Sequence, residues 1–401
     1  LVAHVRRRSA YYRDRLPSGR LELSDLPLMS KAEMMEHFDR INTGGLGRDA
    51  LIEFRINQER SGRTDLYPGG YSVGLSSGTS GNKVLTVLSA RERARYPILL
   101  WARCGIPREV TQRRVLFALR TNNPAFTSVT ALGVELQYVD SFVPVEELVG
   151  LVNRHRLNVL AGPPSLLGEL AERADAIRSP IDTVISYAEE LDETARRRLA
   201  EAFRAPVVEI YQGAEGLLGF TCPAGSLHLS EDTALVELSD AGDALADARR
   251  VVVTDLYRRT QPFIRYQLGD LLEVGDASCA CGSAFRRIAR IHGRADSVFV
   301  LPGLAGGQVR LMPDYVRRSI NQASDAVREY QAIQLSPTEV EIRLELADGA
   351  DPGPIRERIA ANLDHYAQRA GGHIGTLRWS DEPPRRDPVS HKLVRVMSHR
   401  R

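Results

Sequence analysis

The sequence predicts an α/β protein with a large N-terminal domain of parallel α/β sheets, a barrel-like β subdomain attached to it, and a small mobile α+β domain at the C-terminal end. Three observations predict it. Apolar runs of strand length alternate with amphipathic helical stretches through the middle of the chain, the order from which parallel sheets are wound. After about residue 230 strand-like runs follow one another without long helices. From Asp296 onward strands and one helix form a set of their own.

The elements follow in order. "RLNVLAGPPSLLGELAERADA" reads as a strand, a Pro-Gly turn and a helix with Leu166, Leu167 and Leu170 on one face. "TVISYAEELDETARRRLAEAF" repeats the scheme, with Asp192 as N-cap, and "APVVEIYQG" is the next strand. The loops "AGPP", "YAEE" and "YQGAEG" therefore fall at the C-terminal ends of strands, where parallel sheets bind ligands. "TALVELSD", "RRVVVTDLY" and "PFIRYQLGDLLEV" are the strands of an antiparallel or barrel-like subdomain at about 230–292. "VREYQAIQLS", "EVEIRLEL", the helix "PIRERIAANLDHY" and the strand "GTLRWSD" make the small unit. With a boundary near "HGRADS", the expected domains are 1–295 and 296–401.

The chain has 401 residues, 43% of them hydrophobic, enough to bury a sizeable core. No apolar run approaches the roughly 18 residues that span a bilayer, and the arginine-rich start lacks the apolar core of a secretion signal. The expected location is cytoplasmic with no membrane partner, although a first residue that is Leu leaves a preceding targeting segment open. A net charge of +2 with no basic stripe argues against nucleic acid. Only three of the 53 basic residues are lysine, Lys31, Lys83 and Lys392, so each lysine is a candidate for work that needs a compact ammonium.

The stretch "LSSGTSGNK" joins two β-like runs. Gly78 and Gly81 offer bare backbone N–H groups, and Ser76, Ser77, Thr79 and Ser80 add hydroxyls around them, with Lys83 close behind: the makings of a phosphate cradle. The Walker spacing fits no register here, and a flexible surface turn is the competing reading. Cys222, Cys279 and Cys281, with His228 six positions after the first, offer three thiolates and an imidazole, a set suited to a closed tetrahedral zinc site. Scattered buried cysteines or a disulfide are the alternatives.

"LSSGTSGNK" also resembles the phosphate loop of the adenylate-forming superfamily of acyl-CoA synthetases, adenylation domains and luciferases. The resemblance is strongest to the phenylacetate–CoA ligase branch and its deazaflavin-adenylating relatives. "YAEELDETARRRL", "EIYQGAEGLLGFTC", "TQPFIRYQLGD" and "RIARIHGRADS" resemble further segments of that branch in order and spacing, over nearly the whole chain. The resemblance implies ATP-dependent activation of a carboxylic acid, aryl or arylacetic, through an acyl-AMP, with coenzyme A as acceptor and Mg2+ on the ATP phosphates. It also allows a homodimer.

By the same resemblance Tyr211 packs on adenine beside Gln212 and Gly213, Asp270 holds the ribose hydroxyls, Glu215 helps position Mg2+, and Arg294 reaches ribose or phosphate. Asp296 is the hinge on which the small domain swings, and Lys392 bridges the carboxylate and the α-phosphate. Asn123, Tyr187, Ala188 and Glu189 fall in segments that line the acid pocket, and the Cys222, His228, Cys279, Cys281 pattern recurs in some members. The plain readings stand beside these: a core tyrosine, a turn-capping aspartate, a basic tail around Lys392. Two departures from the pattern are Ala214, where the branch carries Thr, and His391, where it carries Gly. The rival functions are adenylation with another acceptor (an amine, a carrier-protein thiol or a deazaflavin hydroxyl) and an inactive, zinc-stapled binding relative.

Overall fold

A computed structural model describes the chain apart from residues 18, 20, 62, 76–83, 104–111, 120–133, 140–142, 190, 242–246, 276–277, 387–392 and 399–401, and apart from the side chains of 59 and 60. Two units divide the chain: Leu1–Glu237, Val252–Leu268 and Asp276–Arg287 in the first, and Leu238–Val251, Gly269–Gly275 and Ile288–Arg401 in the second.

In the first unit, short N-terminal helices precede an antiparallel hairpin of β1 (Ser72–Leu75) and β2 (Leu85–Leu88), whose inner ends pair Leu75 with Leu85. Phe38, Leu51, Val73, Leu85 and Val87 form the hairpin's own buried cluster. Five parallel strands follow: β3 (Arg113–Ala118), β4 (Val134–Val139), β5 (Val159–Gly162), β6 (Thr183–Ser186) and β7 (Val207–Gly213). They lie in the order β4-β3-β5-β6-β7, and β8 (Gly216–Thr221) and β9 (Leu227–Leu229) continue it antiparallel, so the sheet is mixed.

Every residue of β5 and β6 is buried, because helices cover both faces, as a parallel sheet requires. On one face Leu116, Leu160 and Val184 meet Leu148 and Val152 of helix Val145–His155, Leu166, Leu167 and Leu170 of helix Pro164–Ala171, and Leu199 and Phe203 of helix Glu193–Phe203. On the other, Val115, Val159, Ala161 and Ile185 meet the partly buried Tyr96, Leu99 and Leu100 of helix Ala90–Arg103. Strand period dictates the split, since neighbouring residues such as Val184 and Ile185 point to opposite faces. Asp192 caps helix Glu193–Phe203, accepting the Ala195 N–H at 2.8 Å as its sequence position foretells.

Beyond β9, β10 (Ala234–Asp240), β11 (Arg249–Asp255), β12 (Tyr266–Gly275) and β13 (Arg287–Arg294) follow without an α-helix among the described residues, and each has residues in both units.

In the second unit, β14 (Phe299–Pro302) and β15 (Gln308–Leu311) form a hairpin. A four-stranded sheet is ordered β18-β17-β16-β19 from β16 (Val327–Ser336), β17 (Glu339–Leu346), β18 (Thr376–Ser380) and β19 (Val396–Ser398). Helix Pro352–Arg369 buries Ile355, Ile359, Leu363 and Ala367, one every turn, against Val316 and Ile320 of helix Pro313–Asn321 and Ala332 and Ile342 of the sheet. Each fully buried aliphatic side chain contributes about 1.5–3 kcal/mol. Gln331 of β16, almost fully buried, exchanges both hydrogen bonds of its amide with the backbone of Arg385 (2.8 and 2.9 Å) and also donates to the Val394 carbonyl at 3.2 Å. One side chain thus holds the chain on either side of residues 386–393.

Candidate active site and metal centre

Neighbouring strands β6 and β7 end at the same edge of the parallel sheet, and Tyr187, Ala188 and Glu189 follow the one while Tyr211, Gln212 and Glu215 lie at the end of the other. Tyr211, Gln212 and Gly213 close β7, a two-residue turn of Ala214 and Glu215 reverses the chain, and β8 returns with Gly213 opposite Gly216. A bulge between Tyr211 and Gln212 re-aims these side chains. Glu215 is buried, and its carboxylate folds back over Gly213. A Cβ at Gly213 would stand 2.2 Å from Glu215 Oε2, so the absence of a side chain is what admits the carboxylate. Gln212 Oε1 is buried with no donor among the described residues, which leaves an acceptor for a ligand or water.

Tyr187 is buried, stacks at 5.6 Å on Phe117, and donates to the carbonyls of Ala118 (2.8 Å) and Ala161 (3.2 Å), tying together the ends of β3 and β5. Burial raises its phenol well above the ordinary range, so it stays a donor. Glu189 accepts from the Ser165 N–H (3.2 Å) and hydroxyl (3.1 Å) at the start of helix Pro164–Ala171, where the helix dipole favours an anion. Between them Ala188 takes φ +70°, a left-handed conformation costing roughly 1–2 kcal/mol for a residue with a Cβ. Tyr187 and Glu189, each held by hydrogen bonds, enforce it.

The second unit carries Asp270, Arg294 and Asp296. Arg294 pairs with Asp270 at 3.4 Å and with Asp296 at 3.5 Å, and its guanidinium lies over Gly269, where a Cβ would approach it to 3.0 Å. Asp296 is exposed in the single turn Ala295–Ser297 ahead of β14. Ser76, Ser77, Gly78, Thr79, Ser80, Gly81, Lys83, Asn123 and Lys392 lie outside the described residues.

Sequence reasoning passed over a group of buried and partly buried polar residues beside the β7–β8 turn. Arg258 donates to the Ala214 carbonyl at 3.0 Å, and the Asp255, Glu92 and Glu215 carboxylates act on it electrostatically. Burial would raise the Glu92 carboxyl, but N–H groups of Thr260 and Ser89 and the charge of Arg258 hold it below the usual range. The only signal in the sequence was the position of Asp255 and Arg258 just ahead of "TQPFIRYQLGD".

The metal candidates do converge. Ligand atoms of Cys222, His228, Cys279 and Cys281 all lie within 4.8 Å of one another. The three cysteines are free thiols, so the disulfide reading fails. Tetrahedral zinc with Zn–S of about 2.3 Å and Zn–N of about 2.05 Å has S···S edges of about 3.8 Å and S···N edges of about 3.5 Å. Here Cys222 Sγ to Cys279 Sγ is 3.8 Å, and Cys281 Sγ to His228 Nε2 is 3.5 Å. His228 is fully buried, and its Nδ1 meets the Phe285 carbonyl at 2.8 Å, which assigns the proton to Nδ1 and frees Nε2 as the ligand. Pairing of His228 on β9 with Arg287 on β13 brings the two halves of the set together. Backbone N–H from Cys281 pulls the Cys279 thiol down to about 6, whereas burial pushes Cys222 up.

No family model matches the chain. Over its whole length it is 25% identical to the phenylacetate–coenzyme A ligase of a Thermus thermophilus strain, covering 94% of that protein. Among solved structures it resembles 2-hydroxyisobutyryl-CoA ligase in the postadenylation state in complex with 2-HIB-AMP, with a TM-score of 0.73 at 18% identity, covering 100% of this chain and 87% of that one. An amide bond synthetase from Marinactinospora thermotolerans gives a TM-score of 0.58 at 15% identity, covering 81% of this chain and 67% of that one. The structural likenesses establish the fold.

Proposed function

We propose that the chain is an adenylate-forming enzyme of the phenylacetate–coenzyme A ligase branch, which activates an aryl or arylacetic acid with ATP and passes the acyl group to coenzyme A; its full-length similarity to such a ligase supports the reading. A carboxylate oxygen attacks the α-phosphorus, the bond to the β-phosphate breaks, and pyrophosphate leaves with acyl-AMP formed. The thiol of coenzyme A then attacks the acyl carbon, releasing AMP and a proton.

In this reading the Tyr211 ring takes the adenine face and the orphan acceptor of Gln212 receives a ligand donor. Asp270 accepts from the ribose diol. Glu215 supplies oxygen to Mg2+, the hard cation that neutralises charge on the phosphates. Lys392 stabilises oxygens whose charge grows as pyrophosphate departs, so it favours the transition state over the ground state. Asp296 is the pivot of the C-terminal domain, 296–401. Cys222, His228, Cys279 and Cys281 hold a structural zinc ion. The observation that carries the reading is the full-length similarity to an acid–thiol ligase, together with Tyr211, Gln212 and Glu215 on one hairpin at the ligand-binding edge of the sheet.

Exchange of labelled pyrophosphate into ATP tests it, run over a panel of aryl and arylacetic acids. At least one acid supports exchange, and adding coenzyme A yields the thioester and AMP. If no acid supports exchange, the reading falls; if exchange occurs but coenzyme A draws off no thioester, the acceptor is another nucleophile.

A further inference from the structure

Strand β2 has β1 on one side, and on the other no strand among the described residues pairs with it in its sheet. A single side chain takes that place. Gln261, fully buried, accepts the Val87 N–H at 2.9 Å and donates to the Leu85 carbonyl at 2.8 Å, the two bonds a neighbouring strand would make. Arg258, 6% exposed, donates to the Val87 carbonyl at 3.3 Å and to Gln261 Oε1 at 3.4 Å. The same guanidinium reaches the Ala214 carbonyl at 3.0 Å in the turn that bears Glu215. Glu92, from helix Ala90–Arg103, accepts the Arg259 N–H at 2.6 Å and the Thr260 N–H at 2.9 Å and so fixes the backbone between Arg258 and Gln261.

We propose that Arg258 and Gln261 are positioning residues for the nucleotide: one buried fork and one buried amide hold the Glu215 turn and strand β2 in fixed register. The inference rests on the functional reading above, in which Glu215 serves Mg2+·ATP. Geometry sets the demand. A planar guanidinium reaches two carbonyls on separate segments at once, whereas an ammonium is a compact point donor without that fork. The charge is needed too, because three carboxylates act on Arg258 and an uncharged residue would leave them unbalanced. Neither residue is assigned contact with the substrates, so the effect is confined to what they orient.

The test uses the full chain with its zinc retained, and the variants Arg258→Lys and Gln261→Met. Binding of ATP is measured calorimetrically with and without Mg2+, and pyrophosphate exchange gives KM for ATP and for the acid. Loss of hydrogen bonds involving a charged group is expected to raise Kd and KM for Mg2+·ATP by about ten- to a hundredfold and to raise the Mg2+ concentration giving half-maximal rate, with KM for the acid within about twofold. Arg258→Lys keeps the charge and guards against a folding failure of Gln261→Met, and zinc content and circular dichroism confirm the fold. Variants that bind Mg2+·ATP like the wild type, or that raise both KM values equally, overturn the inference while leaving the enzyme reading intact. A wild-type chain that binds no ATP overturns both.

Discussion

Replacing Cys279 by Ser is the sharpest probe of the metal centre. The substitution removes one of the four ligands but little volume, so its cost is the cost of the cross-link. Cys222 and Cys279 are 57 positions apart, and closing a loop of that length removes chain entropy equivalent to about 4 kcal/mol at 25 °C in the loop-entropy treatment. At roughly 2 °C per kcal/mol for a unit of this size, the midpoint of thermal unfolding drops by roughly 8 °C. The wild type is expected to purify with one zinc per chain, measured by metal analysis and by release to a chromophoric chelator on denaturation, and Cys279→Ser is expected to lose it. Chelation of the wild type produces a similar drop, and restoring zinc reverses it. A wild-type chain that neither carries nor takes up zinc, or a Cys279→Ser protein with unchanged midpoint, would refute the reasoning from the 3.8 Å and 3.5 Å edges.

Gly213→Ala drives its new methyl group against the Glu215 carboxylate, the far end of a flexible side chain, so the carboxylate yields rather than the backbone. Titration of exchange activity with Mg2+ should show about a tenfold higher requirement, while chemical denaturation shows a change within about 1 kcal/mol. Lys392→Ala should lower the exchange rate by about 10²- to 10³-fold with little effect on ATP binding; an unchanged rate would place the lysine outside the chemistry. Glu209 gives a pH signature. Burial lifts its carboxyl from 4.5 to about 7 despite the Arg196 guanidinium at 2.6 Å. A carboxyl with a raised folded-state pKa contributes full stability below about pH 4.5 and loses it as pH rises to about 7, because in that window the folded chain holds a proton that the unfolded chain has released. The unfolding free energy of wild type minus that of Glu209→Gln therefore falls by on the order of 3 kcal/mol across the window, and a flat difference would refute the assignment.

Elements whose period is plain were legible in the sequence. Strands β16 and β17 begin and end where the alternation of their apolar residues does, and Asp192 caps the helix it precedes. The convergence of Cys222, His228, Cys279 and Cys281 was legible because cysteine is scarce, four in 401 residues, so that its spacing stands out. Tyr187 and Glu189 were legible by place only: the hydrogen bonds that occupy them come from β3, β5 and a helix start, elements the sequence cannot position. Arg258 and Gln261 were silent for a stronger reason. Arginine supplies nearly all the positive charge, so one more draws no notice, and the partners of these two lie 171 and 176 positions away. A buried amide that stands in for a strand has no signature until the chain is folded.

Gln331 bears on what Lys392 is able to do. If Lys392 acts as proposed, the hydrogen bonds of Gln331 to Arg385 and Val394 matter to it, because they leash the backbone at both of those points to one place on β16, and a chain fixed at two points has fewer conformations to search than one fixed at a single point. Truncating the chain after Val394 would remove β19 and leave that leash with one firm end, a loss out of proportion to the seven residues deleted.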